Sequence, residues 1–117
     1  MGRGERNSMS GGDMKITVVA KSRAKAGHEA AWEKALRAVV APTHREKGCL
    51  KYTLHRGLGE PGKMVVLERW ESQADLDRHL AAPHIKELFR IGAEAVAESD
   101  ISVYEELAEG EPAKGLF

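Results

Sequence analysis

Apolar and polar positions along the chain switch between two periods. Lys15 to Arg23 alternates weakly and carries the β-branched residues Ile16, Thr17, Val18 and Val19, which predicts a strand. Ala26-Gly27-His28 interrupts it. Trp32, Ala35, Leu36, Val39 and Val40 then recur at helical spacing, with Glu33, Lys34 and Arg37 between them. This predicts an amphipathic helix of about 15 residues. Pro42 should distort its last turn, and Gly48 should stop it. Cys49 to Arg56 returns to period two, with Leu50, Tyr52 and Leu54 on one face and Lys51, Thr53 and His55 on the other. A turn-rich segment, Gly57 to Gly62, leads into a further strand from Lys63 to Glu71. There Met64, Val66, Glu68 and Trp70 share one face, and Val65, Leu67 and Arg69 the other. These two strands form a hairpin. Both of its faces carry bulk, so both should be covered.

Ser72 followed by Asp75 resembles a capping box, with aspartate in place of the usual glutamate, and predicts a short helix from Gln73 to Ala81. Pro83 suits the first position of a new helical segment, whose apolar stripe is Ile85, Leu88, Phe89, Gly92 and Val96. Ile101, Val103, Glu105 and Leu107 alternate as a last strand. The order β-α-β-β-α-β, with the second helix in two pieces, is that of an α+β ferredoxin-like sandwich with one antiparallel sheet. Helices would cover one sheet face. A second copy of the chain is the simplest cover for the other, since two-fold dimers are the commonest oligomers.

The organisation is one domain, residues 14–107, between a leader and a tail. Residues 1–13 hold four glycines and no branched or aromatic apolar residue. Such a segment cannot offset its ordering entropy by burial, so a flexible leader is expected. Residues 108–117 form a polar tail ending in Leu116 and Phe117, which can dock on a surface. Composition then removes several classes of function. Across 117 residues, 18 basic side chains balance 18 acidic ones, which argues against nucleic-acid binding. The longest apolar runs are four residues, against about 20 for a membrane span and about 7–15 for a signal peptide. Cys49 is the single cysteine, so no internal disulfide forms and a cytoplasmic location is expected.

Candidate chemistry is sparse. The histidines stand at 28, 44, 55, 79 and 84. His79 and His84 are separated by Pro83 and do not make the i, i+4 pair of a helical zinc site, so no metal site is expected. No glycine-rich phosphate loop follows a strand, and flavin and nicotinamide motifs are absent. Cys49 reads as a small buried residue. Glu68 places a carboxylate on an otherwise apolar strand face beside Trp70. It must be paired, solvated or functional, so the two either pack or line a pocket. His79 and His84 flank the helix break, as helix-end residues or as groups suited to proton abstraction. Tyr52 can pack while offering its hydroxyl to a ligand.

Gly48-Cys49-Leu50-Lys51-Tyr52-Thr53-Leu54-His55-Arg56, then Pro61, Glu68-Arg69-Trp70-Glu71-Ser72, Ala74, Leu76, His79 and Pro83-His84 together resemble the antibiotic biosynthesis monooxygenase domain. Within it they are most similar to the small quinol monooxygenases. The resemblance covers residues 14–107. It implies a ferredoxin-like subunit that dimerises sheet to sheet into an α+β barrel, and oxygenation of a quinol or anthrone without flavin, metal or other cofactor. It implies a pocket built from Tyr52, Glu68, Trp70, His79 and His84, with His79 as the base and His84 and Glu68 as further catalytic candidates. Phe89 and Met64 would join Tyr52 and Trp70 against an aromatic substrate. Haem-degrading relatives use an asparagine on the first strand, and Ile16-Thr17-Val18-Val19-Ala20 has none. A proton-shuttling isomerase and a ligand-binding or stress-associated dimer without turnover are the alternatives.

Overall fold

A computed structural model describes residues 14–117, and the expected leader lies outside the described residues. β1 spans Ile16–Ala24. α1, Glu29–Ala38, and α2, Val40–His44, follow it. The hairpin strands are β2, Cys49–Arg56, and β3, Lys63–Trp70. α3, Gln73–Leu80, and α4, Pro83–Ala95, precede β4, Val96–Tyr104, and a last turn of helix, α5, covers Pro112–Gly115. The sheet order is β2-β3-β1-β4 and every pairing is antiparallel. This is the ferredoxin-like α+β sandwich read from the pattern.

The core lies between the sheet and the helices. β1 contributes Ile16 and Val18, β3 contributes Met64, Val66 and Trp70, and the helices contribute Trp32, Leu36, Leu76, Ile85 and Leu88. Burying each such side chain contributes about 1.5–3 kcal/mol. Gly92 is the point where α4 meets α1: a Cβ there would lie 3.1 Å from the Trp32 ring. The Trp32 indole N–H donates to Ser22 Oγ at 2.8 Å, tying α1 to β1.

Four departures from the sequence pattern have physical causes. The first helix breaks at Val39, because Pro42 removes a donor and its ring meets the carbonyl four residues earlier, on Ala38. The Val39 N–H then bonds the Leu36 carbonyl, three residues back instead of four, at 3.3 Å. Leu50 does not continue the alternation of β2. The register shifts between Cys49 and Lys51, so Leu50 is an extra residue in a bulge and lies 43% exposed. β4 begins at Val96, five residues before its apolar alternation, because β1 supplies a pairing edge up to Ala24. It ends at Tyr104, opposite Thr17, where the β1–β4 ladder begins one residue after the start of β1, so Glu105 and Leu107 lie beyond the paired edge.

The capping signals hold. The Ser72 side chain accepts from the Asp75 N–H and donates its own hydroxyl to the Asp75 carboxylate. Pro83 opens α4, and Ala82 before it is extended, as a residue preceding proline prefers. Gly48 joins α2 to β2 with φ +86°, a left-handed conformation that favours glycine.

The sheet face away from the helices carries Val19, Val65 and Leu67, each half-buried. Part of it is covered by the chain's own tail. Arg69 reaches Glu106 at 2.9 Å, the Phe117 N–H donates to the same carboxylate, and Lys51 Nζ stands 5.3 Å from the Phe117 ring centroid. No helix among the described residues is long and apolar enough to cross a membrane.

Candidate active site

The period of β3 sets the site. Its inward residues, Met64, Val66, Glu68 and Trp70, are all buried. Glu68 pairs with Tyr52 on β2 and Val18 on β1, so a carboxyl and a phenol project side by side under the helices. α3 brings His79 over them, and α4 brings Phe89. These residues border a cavity of about 340 Å³ between the sheet, α3 and α4. Its remaining wall is mostly apolar, including Leu76, Leu80, Ile85 and Ile101. Phe89 and Ile101 stay roughly half exposed at its rim, where β4 is not covered by a helix.

His79 is held from three sides. Its ring lies 4.6 Å from Trp70 and meets Tyr52 edge-on at 5.5 Å. Its Nδ1 lies 2.9 Å from Glu46 Oε2. A carboxylate only accepts, so Nδ1 carries the hydrogen and Nε2 is left with a lone pair. Nε2 bonds no protein group among the described residues, none of which has a fully buried polar side-chain atom without a partner. It therefore faces the cavity that His79 lines. Burial holds the imidazole below its ordinary pKa, against the opposing pull of Glu46, so the neutral, proton-accepting form prevails at neutral pH.

Glu68 shows the converse. Burial pushes its carboxyl up to about 7, with a smaller upward push from Glu46, while the Trp70 indole opposes both. That indole N–H donates to Glu68 Oε1 at 2.8 Å. Burial and the charges of Glu68 and Glu46 also push the Tyr52 phenol above its usual range. The cavity thus presents one neutral imidazole, one carboxyl poised near neutrality and one phenol that stays protonated. Opposed proton affinities of this kind are a mark of acid–base sites.

Of the residues singled out from sequence, Tyr52, Glu68, His79 and Phe89 line the cavity. Trp70 is fully buried behind it, against His79 and Glu68. His84 is one step removed: its Nε2 bonds Glu46 Oε2 at 2.8 Å and the Thr43 hydroxyl at 3.2 Å. Met64 lies away from the cavity, in the core between Ser22 and Arg56. Cys49 is a half-buried thiol pushed up to about 11 by burial and then by Glu46 and Glu68, so it is a poor nucleophile at neutral pH.

Glu46 was not legible as a site residue. It is one of 18 acidic residues and lies in the turn after α2, far along the chain from both imidazoles it joins. The same holds for Thr43, which is fully buried. Spacing along the chain offered no metal-ligand set. The fold nevertheless gathers Glu46, His79 and His84, whose donor atoms lie within 4.8 Å of one another.

The family model described as antibiotic biosynthesis monooxygenase matches residues 15–90. The chain belongs to this family. A relative from Mycobacterium tuberculosis named "Putative monooxygenase Rv0793" is 32% identical over 69 residues, covering 59% of this chain and 67% of that protein. The crystal structure of PA3566 from Pseudomonas aeruginosa superposes with a TM-score of 0.78 at 33% identity, covering 81% of this chain and 96% of that one. A Deinococcus radiodurans structure titled as a putative antibiotic biosynthesis monooxygenase gives a TM-score of 0.69 at 28% identity, over 84% of this chain and 94% of that one. The matched segment contains Tyr52, Glu68, Trp70, His79, His84 and Glu46, and ends before β4 and the tail.

Proposed function

We propose that this family member is a cofactor-independent monooxygenase acting on a small electron-rich aromatic, a quinol or anthrone. The observation that carries this reading is the His79 imidazole fixed by Glu46 with its free nitrogen facing an apolar cavity. In the reaction, Nε2 of His79 removes a proton from the substrate. The resulting anion gives one electron to dioxygen, and the two radicals join in a carbon–oxygen bond. The peroxide takes up the proton held by His79 and a second carbon-bound hydrogen leaves as a proton. Water departs and a ketone or quinone remains, so one oxygen atom enters the product and one enters water. The protein contributes the base, orientation and a water-poor wall. The Glu68 carboxyl, largely protonated below pH 7, and the Tyr52 hydroxyl are the donors available to the developing oxyanion.

Wall chemistry supports an aromatic rather than a phosphorylated substrate. Lys21 is the only lysine or arginine among the residues bordering the cavity, against the carboxylates Glu68 and Glu98, whereas a phosphate calls for several basic donors. The presence of two proton-transfer groups on one cavity favours a second reading, a proton-shuttling isomerase. We further propose that two copies pack through the sheet face opposite the helices, and that the protein is cytoplasmic, since a lone free cysteine suits a reducing compartment.

The test is oxygen uptake by EDTA-treated protein with hydroquinones, naphthoquinols and anthrones, against His79→Ala. Uptake above autoxidation, lowered at least about 100-fold in the variant, is the expected result for loss of a general base. Turnover unchanged in His79→Ala removes the base assignment. Turnover of a substrate without oxygen consumption favours the isomerase.

A further inference from the structure

We propose that Glu46, His79 and His84 form a binding site for one divalent transition-metal cation per chain, and that its occupation switches the cavity-facing nitrogen of His79 from acceptor to donor. The donors come from three separate elements, the turn after α2, α3 and the start of α4. One carboxylate oxygen is the meeting point: Glu46 Oε2 lies 2.9 Å from His79 Nδ1 and 2.8 Å from His84 Nε2. Three donors bound to one zinc(II) at about 2.0–2.2 Å stand roughly 3–3.5 Å apart. Two of the three separations are already within a few tenths of an ångström of that range. Two imidazoles and one carboxylate are a recognised three-ligand set for zinc, with positions left for water.

Charge points the same way. Among the described residues no lysine or arginine lies within ion-pair distance, 4.0 Å, of Glu46 or of Glu68, and the only basic neighbours of Glu46 are the two imidazoles. A carboxylate this enclosed ordinarily has a cationic partner, and a divalent cation supplies one. Access is from outside the cavity, since the His84 and Glu46 side chains keep 24% and 16% of their exposure while His79 keeps 3%.

Occupation has a chemical consequence. A metal on Nδ1 displaces the proton from that nitrogen, and the neutral ring then carries its hydrogen on Nε2. The nitrogen facing the cavity can no longer take a proton from a substrate. The cation-loaded protein is therefore an inhibited form of the oxygenase proposed above, and only this last clause rests on that proposal.

The experiment is a titration of EDTA-treated, dialysed protein with cobalt(II), followed by the visible absorption of the bound ion, and with zinc(II), followed by calorimetry. The expected result is one saturable site per chain, with zinc displacing cobalt. Affinity should fall at least about tenfold in Glu46→Gln and in His84→Ala, the scale of effect seen for altered metal surroundings, and remain unchanged in His55→Ala. Glu46→Gln keeps the side-chain volume, so the result does not depend on whether His84→Ala folds well. Absence of saturable binding below millimolar cation overturns the proposal, as does binding that persists unweakened in both variants. Protein that consumes oxygen but binds no cobalt overturns the metal site and leaves the oxygenase. Protein that binds cobalt through these residues but turns over nothing does the reverse.

Discussion

Replacing Glu68 with glutamine should stabilise the protein, and by an amount that grows with pH. Glu68 is 4% exposed and has no cationic partner among the described residues. Its carboxyl rises from an ordinary 4.5 to about 7, chiefly through burial. At about 1.4 kcal/mol for each tenfold change in proton affinity, that rise corresponds to about 3 kcal/mol. Below pH 4.5 the group is neutral in the folded and the unfolded chain and contributes no difference. Between 4.5 and about 7 the folded chain keeps a proton that the unfolded chain has released, so stability falls as pH rises. Above about 7 the whole cost is present. Glutamine has no proton to lose and still offers an oxygen to the Trp70 N–H. Its amide hydrogens can lack a partner, which subtracts a pH-independent amount of about 1 kcal/mol. The assay is urea denaturation at fixed protein concentration, at pH 5 and pH 8, for both proteins. Titrations common to both cancel in the difference. The variant's advantage should widen by about 2–3 kcal/mol from the lower to the higher pH. An advantage that does not widen refutes the claim that burial, rather than an unseen compensating charge, governs this carboxyl. Confirmation would make Glu68 a group kept at a cost to the fold, as expected where chemistry rather than packing selects a residue.

Three further outcomes are expected. Gly48→Ala should cost about 3 kcal/mol in thermal or urea unfolding, because it combines a positive φ with a Cβ that would clash with the Asp75 carboxyl group. Gly59→Ala, with φ +72° and nothing within 4 Å, should cost only about 1 kcal/mol, and equal losses at the two positions would contradict the clash. Light scattering should give twice the chain mass, and a monomeric mass would contradict packing of two copies through the outer sheet face.

The fold was legible because its periods are clean. β3 reads the same in sequence and structure, from the inward row of Met64, Val66, Glu68 and Trp70 to its outward partners. The cap at Ser72 and the helix start at Pro83 are local chemistry, decided by residues within one turn. The first half of β4 was not legible, since Val96–Asp100 has no alternation and is held by pairing with β1. The site divides the same way. Tyr52, Glu68 and His79 announced themselves as polar groups on apolar faces or at a helix break. Glu46 lies in a polar turn, and its importance comes from where two other segments end up. Likewise His84 stood out beside Pro83, but nothing along the chain said that it would meet Glu46 rather than the cavity.

The bulge in β2 has a consequence for how this chain can change. Leu50 and Lys51 together stand opposite Arg69, while Cys49 faces Trp70 and Tyr52 faces Glu68. Removing Leu50 would leave an evenly paired strand with Cys49, Tyr52 and Leu54 still pointing at the helices. Most single-residue insertions or deletions in a strand exchange its two faces. Here one would alter only the surface, so chain length and the composition of the interior can vary independently at this point.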